Sequence, residues 1–154
     1  MRYVTHSPKE TRSLGEELGR LLRPGDVLVL QGEMGAGKSE LTRGIARGLQ
    51  IEGPIASPTF TILQAYDTGR LPLYHFDWYR INDPEELYDI GAEEYLLGDG
   101  VSAVEWPDRA FGMLPEAYLQ ISIAYGAGEN ERIIEINPMG GYANVSLGKD
   151  KFEA

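Results

Sequence analysis

The sequence predicts an α/β domain with a mixed sheet, parallel at its core, antiparallel in its C-terminal strands and flanked by helices. Three observations predict it. Val27-Leu28-Val29-Leu30 is uniformly apolar, as a strand covered on both faces must be. A glycine loop follows it directly and opens a stretch of helical periodicity. Beyond residue 60, strand–helix alternation gives way to short β candidates divided by Gly, Pro and Asp turns, the pattern of hairpins added to a βα core.

In chain order, Ser7-Pro8-Lys9-Glu10 has the form of a capping box with Pro at the first helical position. Leu14, Leu18, Leu21 and Leu22 then recur at helical spacing, and the helix ends near Pro24-Gly25. After the apolar strand and the glycine loop, Leu41, Ile45 and Leu49 form the stripe of a second helix, with Gly44 and Gly48 placed for close packing and a stop near Gly53-Pro54. Further strands are expected at Thr61–Tyr66, Leu71–Trp78, Val101–Glu105, Tyr118–Tyr125 and Arg132–Ile136, and Pro84-Glu85-Glu86-Leu87 opens a helix between them. Residues 1–138 make one domain. Residues 139–154 are Gly-rich and polar, and are expected to fray.

At 154 residues, with 42% hydrophobic, the chain can bury a sizeable core, which excludes disorder. Lys and Arg number 14 against 24 Asp and Glu, a net charge of −10 that argues against independent binding to nucleic-acid backbones. The absence of cysteine excludes disulfides, thiolate metal sites and thiol nucleophiles. No apolar leader opens the chain and no run suits a bilayer, so a soluble cytoplasmic protein is expected, without membrane contact. Between Asn82 and Asp108 stand nine acids and no Lys or Arg. That stretch is either a solvated face or a docking surface where charge hastens encounter with a basic partner.

Gly32-Glu33-Met34-Gly35-Ala36-Gly37-Lys38-Ser39 matches the phosphate-binding pattern G-x-x-x-x-G-K-[ST] at every required position, between a strand and a helix. Glycines allow the backbone N–H groups to turn inwards around phosphate oxygens, and the helix N-terminus adds its dipole. Lys38 is spaced to reach β and γ phosphates, and Ser39 to offer its hydroxyl to Mg²⁺. Two carboxylates end core strands, where α/β sheets hold ligands: Asp77 in Leu73-Tyr74-His75-Phe76-Asp77-Trp78, and Glu105 after Val101-Ser102-Ala103-Val104. Strand alternation puts His75 and Asp77 on one face, with Tyr74, Phe76 and Trp78 on the other. His75 is either a satisfied core histidine or a support for the site. Arg80 and Arg109 read as surface ion pairs or as stabilisers of transferring charge, and Trp106 as packing or a nucleotide contact. In Ser57-Pro58-Thr59-Phe60, Thr59 stands where nucleotide switches keep a γ-phosphate-sensing hydroxyl, although Ser-Pro-Thr is also an ordinary turn.

Together, Gly32 to Ser39, Ser57-Pro58-Thr59-Phe60, His75-Phe76-Asp77-Trp78-Tyr79-Arg80, Pro84-Glu85-Glu86-Leu87 and Val104-Glu105-Trp106-Pro107 resemble the bacterial TsaE family, also called YjeE, in order from about Pro8 to Pro138. The resemblance implies a P-loop nucleotide-hydrolase fold and an ATPase that uses ATP and Mg²⁺ in threonylcarbamoyladenosine synthesis on tRNA. It implies a complex with TsaB and TsaD in which TsaD carries out the transfer beside the anticodon, the ATPase resets the machine between cycles, and tRNA is reached only through TsaD. Carried over by position, Lys38 and the loop from Gly32 through Glu33, Met34, Gly35, Ala36 and Gly37 hold the nucleotide. Ser39 and Glu105 match the metal-binding pair, Asp77 and Thr59 the residues near the γ-phosphate, and Glu10 a residue beside the base. One departure is Ser39-Glu40, where the family most often has Thr-Thr; the metal hydroxyl is kept, and Glu40 adds negative charge near the site.

The rivals are a small-molecule P-loop kinase, disfavoured because acids fill the stretch where a lid would need arginines, and a non-catalytic module whose docking nucleotide merely gates. A GTPase lacks its Asn-Lys-x-Asp motif here, and a transporter ATPase its Leu-Ser-Gly-Gly-Gln segment.

Overall fold

A computed structural model describes residues 1–58 and 60–142. One seven-stranded sheet runs in the order β1-β7-β6-β2-β5-β4-β3. Its strands are β1 (Arg2–Thr5), β2 (Val27–Gly32), β3 (Leu63–Tyr66), β4 (Leu73–Asp77), β5 (Val101–Glu105), β6 (Tyr118–Tyr125) and β7 (Arg132–Met139). The centre is parallel, with β2 between β5 and β6 and β4 beside β5. The antiparallel strands are wider spread than expected: β7 lies beside β6 at the C-terminal end, while β1 and β3 close the two edges.

β1 escapes the sequence reading because four residues are too few to show a strand period. In place, Tyr3 and Thr5 turn inwards, buried, and the strand takes its register from β7, with Tyr3 opposite Ile134.

Two helices cover one face. In α1 (Pro8–Leu21) the Ser7 hydroxyl accepts from the Glu10 N–H at 3.1 Å, while the Glu10 carboxylate accepts from the His6 N–H at 2.7 Å. The capping box is thus displaced by one residue at its carboxylate end. α2 (Lys38–Gly48) starts directly from the glycine loop and ends earlier than Gly53-Pro54, with Gln50 in the left-handed region. The two helices meet backbone to backbone: a Cβ on Gly44 would collide with the Arg12 carbonyl, so glycine is required by close approach. Leu14, Leu18, Leu41, Ile45 and Leu49 pack there on Leu28, Leu30, Ala103, Leu119 and Ile121.

On the other face, α3 (Glu85–Asp89) and α4 (Ala92–Leu96) press Leu87, Ala92 and Leu96 against Val27, Phe76, Trp78 and Val104. Their acids point outwards. From Asp83 to Asp99, every Asp and Glu is exposed, whereas Glu105 alone of the acidic stretch is buried. Met139 belongs to β7, and Tyr142 packs, partly buried, against the core cluster. The rest of the tail, residues 143–154, lies outside the described residues, as does Thr59.

Candidate active site

The loop 32–39 bridges the end of β2 and the start of α2 at the carboxyl edge of the parallel strands. Gly35 (φ 80°) and Gly37 (φ 113°) take left-handed backbone angles that side-chain-bearing residues rarely adopt. Within the loop, the Ala36 N–H donates to the Glu33 carbonyl at 3.0 Å. Two carbonyls are held from outside. The Tyr125 hydroxyl donates to Met34 O at 3.2 Å and Arg132 Nε to Ala36 O at 3.0 Å. Tyr125 and Arg132 are register partners closing the β6–β7 hairpin, and the guanidinium sits 4.5 Å over the phenol ring. With these two carbonyls engaged from outside, the remaining N–H groups of the loop are left for an anion, as an anion-binding nest requires.

Around this loop the structure brings together Lys38, Ser39, Asp77 and Glu105, which line one cleft of about 290 Å³ with Met34, Gly35, Gly37, Glu40, Ser57 and Trp106. A neighbouring hollow of about 260 Å³ runs past Gly32, Glu33, Lys38 and Asp108. Asp77 and Glu105 reach the cleft because they are directly opposite in the parallel β4–β5 register. Asp77 Oδ1 accepts from the Tyr79 N–H at 2.9 Å, which fixes the carboxylate where the strand turns away.

Glu105 contacts two ionisable side chains. Its Oε2 lies 2.6 Å from His75 Nε2, and its Oε1 3.6 Å from Lys38 Nζ. Burial pushes its carboxyl pKa up, but the hydrogen bond and charge of His75, aided by Lys38, outweigh burial and hold it below the ordinary glutamate value. A negative carboxylate is therefore maintained inside the site. Lys38 Nζ also sits 4.4 Å over the Trp106 ring, a favourable cation–π contact. Trp106 holds left-handed angles (φ 55°, ψ 57°) between Glu105 and the 3₁₀ turn Pro107–Arg109, which sets its ring at the mouth. This conformation costs about 1–3 kcal/mol in a bulky residue.

Several further residues make contacts of their own around the site. The Glu10 carboxylate is occupied by the His6 N–H at the first turn of α1. It does not line the adjoining hollow, formed instead by Ser7, Pro8, Thr11, Gly35, Gly37, Glu40, Asn130 and Arg132. The added charge of Glu40 is absorbed, since its two oxygens accept from Arg12 at 2.8 Å and Arg43 at 2.7 Å. Arg80 and Arg109 lie over the Phe60 and Tyr79 rings, and among the described residues neither is paired with a carboxylate. Tyr125 and Arg132 were not anticipated; no motif marks them, and only the hairpin register brings them to the loop.

Hard oxygen donors, a serine hydroxyl and an ionised carboxylate, suit Mg²⁺ held jointly with phosphate oxygens. Among the described residues no cluster of three or more His, Asp and Glu forms a ready-made metal cage. The arrangement is thus suited to a metal that arrives with a phosphate ligand.

A sequence model of the family described as "Threonylcarbamoyl adenosine biosynthesis protein TsaE" matches residues 5–134. The tRNA threonylcarbamoyladenosine biosynthesis protein TsaE of Bacillus subtilis is 44% identical over 140 residues, 91% of this chain and 87% of that protein. The protein of the same name from Treponema pallidum is 46% identical over 133 residues, covering 86% and 98%. The crystal structure of Bacillus subtilis YdiB superposes with a TM-score of 0.77 at 39% identity, covering 92% of this chain and 86% of that one. On the family match, the relatives and the shared fold, the chain belongs to the TsaE family.

Proposed function

We propose that this chain binds and hydrolyses ATP with Mg²⁺ as the TsaE component of tRNA threonylcarbamoyladenosine biosynthesis, in the cytoplasm. It acts with TsaB and TsaD to permit repeated turnovers, and meets tRNA only through TsaD. The observation that carries the reading is the convergence of Lys38, Ser39, Asp77 and Glu105 on one cleft beside a glycine loop two of whose carbonyls are held from outside. The names of the relatives supply the pathway. The chain's negative charge agrees with leaving the tRNA to a partner.

In this reading the loop from Gly32 to Gly37 donates to the phosphates those backbone N–H groups not spent within it, as the Ala36 N–H is, and Lys38 exchanges Glu105 for the β and γ oxygens. Mg²⁺ would be held by Ser39 and Glu105, and would supply positive charge that offsets that of the phosphates. Asp77, steadied by the Tyr79 N–H, orients the attacking water, and Thr59 senses the γ-phosphate from its place between Pro58 and Phe60. Turnover is slow in the isolated chain and faster in the complex, because partners hold these groups in productive geometry.

The test is reconstitution with TsaB, TsaD, tRNA and the reaction's substrates, with and without the chain, reading tRNA nucleosides by mass. Modified nucleoside rising beyond one equivalent of TsaD only when the chain and ATP are present supports the reading. No increase over many rounds would favour a kinase or a gating module.

A further inference from the structure

We propose that His75 is a positioning residue that anchors one oxygen of Glu105 and thereby sets which oxygen is presented to the metal. This rests on the reading of Glu105 as a metal ligand. His75 is 3% exposed in the middle of β4, opposite Ala103 and on the same face as Asp77. A polar ring so buried must find a hydrogen-bond partner. It reaches diagonally along the β4–β5 pair to Glu105, two positions beyond Ala103.

Three features separate this contact from generic satisfaction of a core histidine. The first is the direction of the bond. An ionised carboxylate only accepts, so Nε2 bears a hydrogen and donates a hydrogen bond to Oε2. The second is that Nδ1 is buried with no hydrogen-bond partner among the described residues, so the one directional bond the ring makes there is to Glu105. The third is the asymmetry at the carboxylate. Oε2 is gripped at 2.6 Å, while Oε1 faces Lys38 at 3.6 Å, a loose contact that phosphates can take over. Once Lys38 turns to phosphate, Oε1 is released and Oε2 stays tethered. Partners behind metal ligands commonly act in this way, fixing the ligand's orientation.

The experiment compares ATP affinity by calorimetry with Mg²⁺ and with EDTA, in the full chain carrying His75→Phe, His75→Leu or His75→Gln, beside Glu105→Ala. His75→Phe keeps a flat aromatic ring without the donor, and His75→Leu carries the same comparison if the larger ring of His75→Phe does not fold, as judged by thermal melts. Affinity in EDTA is expected to stay within about twofold, whereas the gain from Mg²⁺ falls about 10- to 100-fold, as for loss of other partners behind metal ligands. His75→Gln, which keeps an N–H donor at similar reach, is expected to restore most of that gain. A purely structural role would lower both affinities together. An unchanged Mg²⁺ gain in His75→Phe or His75→Leu, or parallel losses with and without metal, overturns the proposal. If Glu105→Ala itself leaves the Mg²⁺ gain intact, the metal reading of Glu105 fails, and the role of His75 fails with it. A shift in Glu105→Ala without one in the donor-free variant removes only His75.

Discussion

Lys38 and Glu105 face each other across the mouth of the glycine loop, Nζ 3.6 Å from Oε1, and both are largely buried. The cation suited to a triphosphate and the carboxylate suited to its metal therefore neutralise one another before a ligand enters. Glu105→Gln keeps the shape, removes the counter-charge and leaves Lys38 free for phosphate. Metal-free ATP is then expected to bind roughly threefold to tenfold more tightly, up to about 1.4 kcal/mol, while the gain from Mg²⁺ is lost. Titration in EDTA checks the first part, and weaker metal-free binding would refute the idea that the pair competes with phosphate.

Tyr125 and Arg132 shape the loop without lying in its sequence. A hydrogen bond of this kind contributes about 0.5–1.5 kcal/mol, so Tyr125→Phe should weaken ATP binding by roughly twofold to tenfold if the bond to Met34 O holds the loop open. Arg132→Ala, which removes the bond to Ala36 O and the stack on Tyr125, should cost more. Far-ultraviolet circular dichroism should stay unchanged in both. Affinities equal to the parent protein's would mean that the loop keeps its shape unaided.

Tyr142 gives the fold an alkaline limit. Burial, together with the charge and hydrogen bond of Asp26, raises its phenol well above the ordinary 10.0, against a smaller lowering by Arg23. The folded state thus binds this proton more tightly than the unfolded chain does. Its contribution to stability is complete below pH 10 and is lost as pH rises beyond that value. Melting temperatures followed upwards from about pH 8 should fall more steeply in the parent protein than in Tyr142→Phe. Parallel curves would contradict the assignment.

Much of this was legible in the sequence because its signals are local. Eight consecutive residues spell the loop, and an unbroken apolar tetrad announces the central strand. Asp77 and Glu105 stand out because each ends such a strand. Period-2 alternation places His75 with Asp77, yet the bond from His75 to Glu105 depends on β4 lying beside β5, a pairing between segments some 25 residues apart. Tyr125 and Arg132 become loop supports only through hairpin register. Glu40 illustrates the converse case: a charge conspicuous in the motif is neutralised by Arg12, which only the close crossing of α1 and α2 at Gly44 brings within reach.

The most direct measurement of whether loop 32–39 receives a nucleotide is calorimetric titration of the full chain with ATP and Mg²⁺, with Lys38→Ala in parallel. Hydrogen bonds to charged groups contribute about 1.5–3 kcal/mol, so saturable binding to the parent protein should weaken roughly 10- to 100-fold in the variant. No binding heat in the parent protein, or equal affinity in the two, would contradict the nucleotide site and the enzymology built on it.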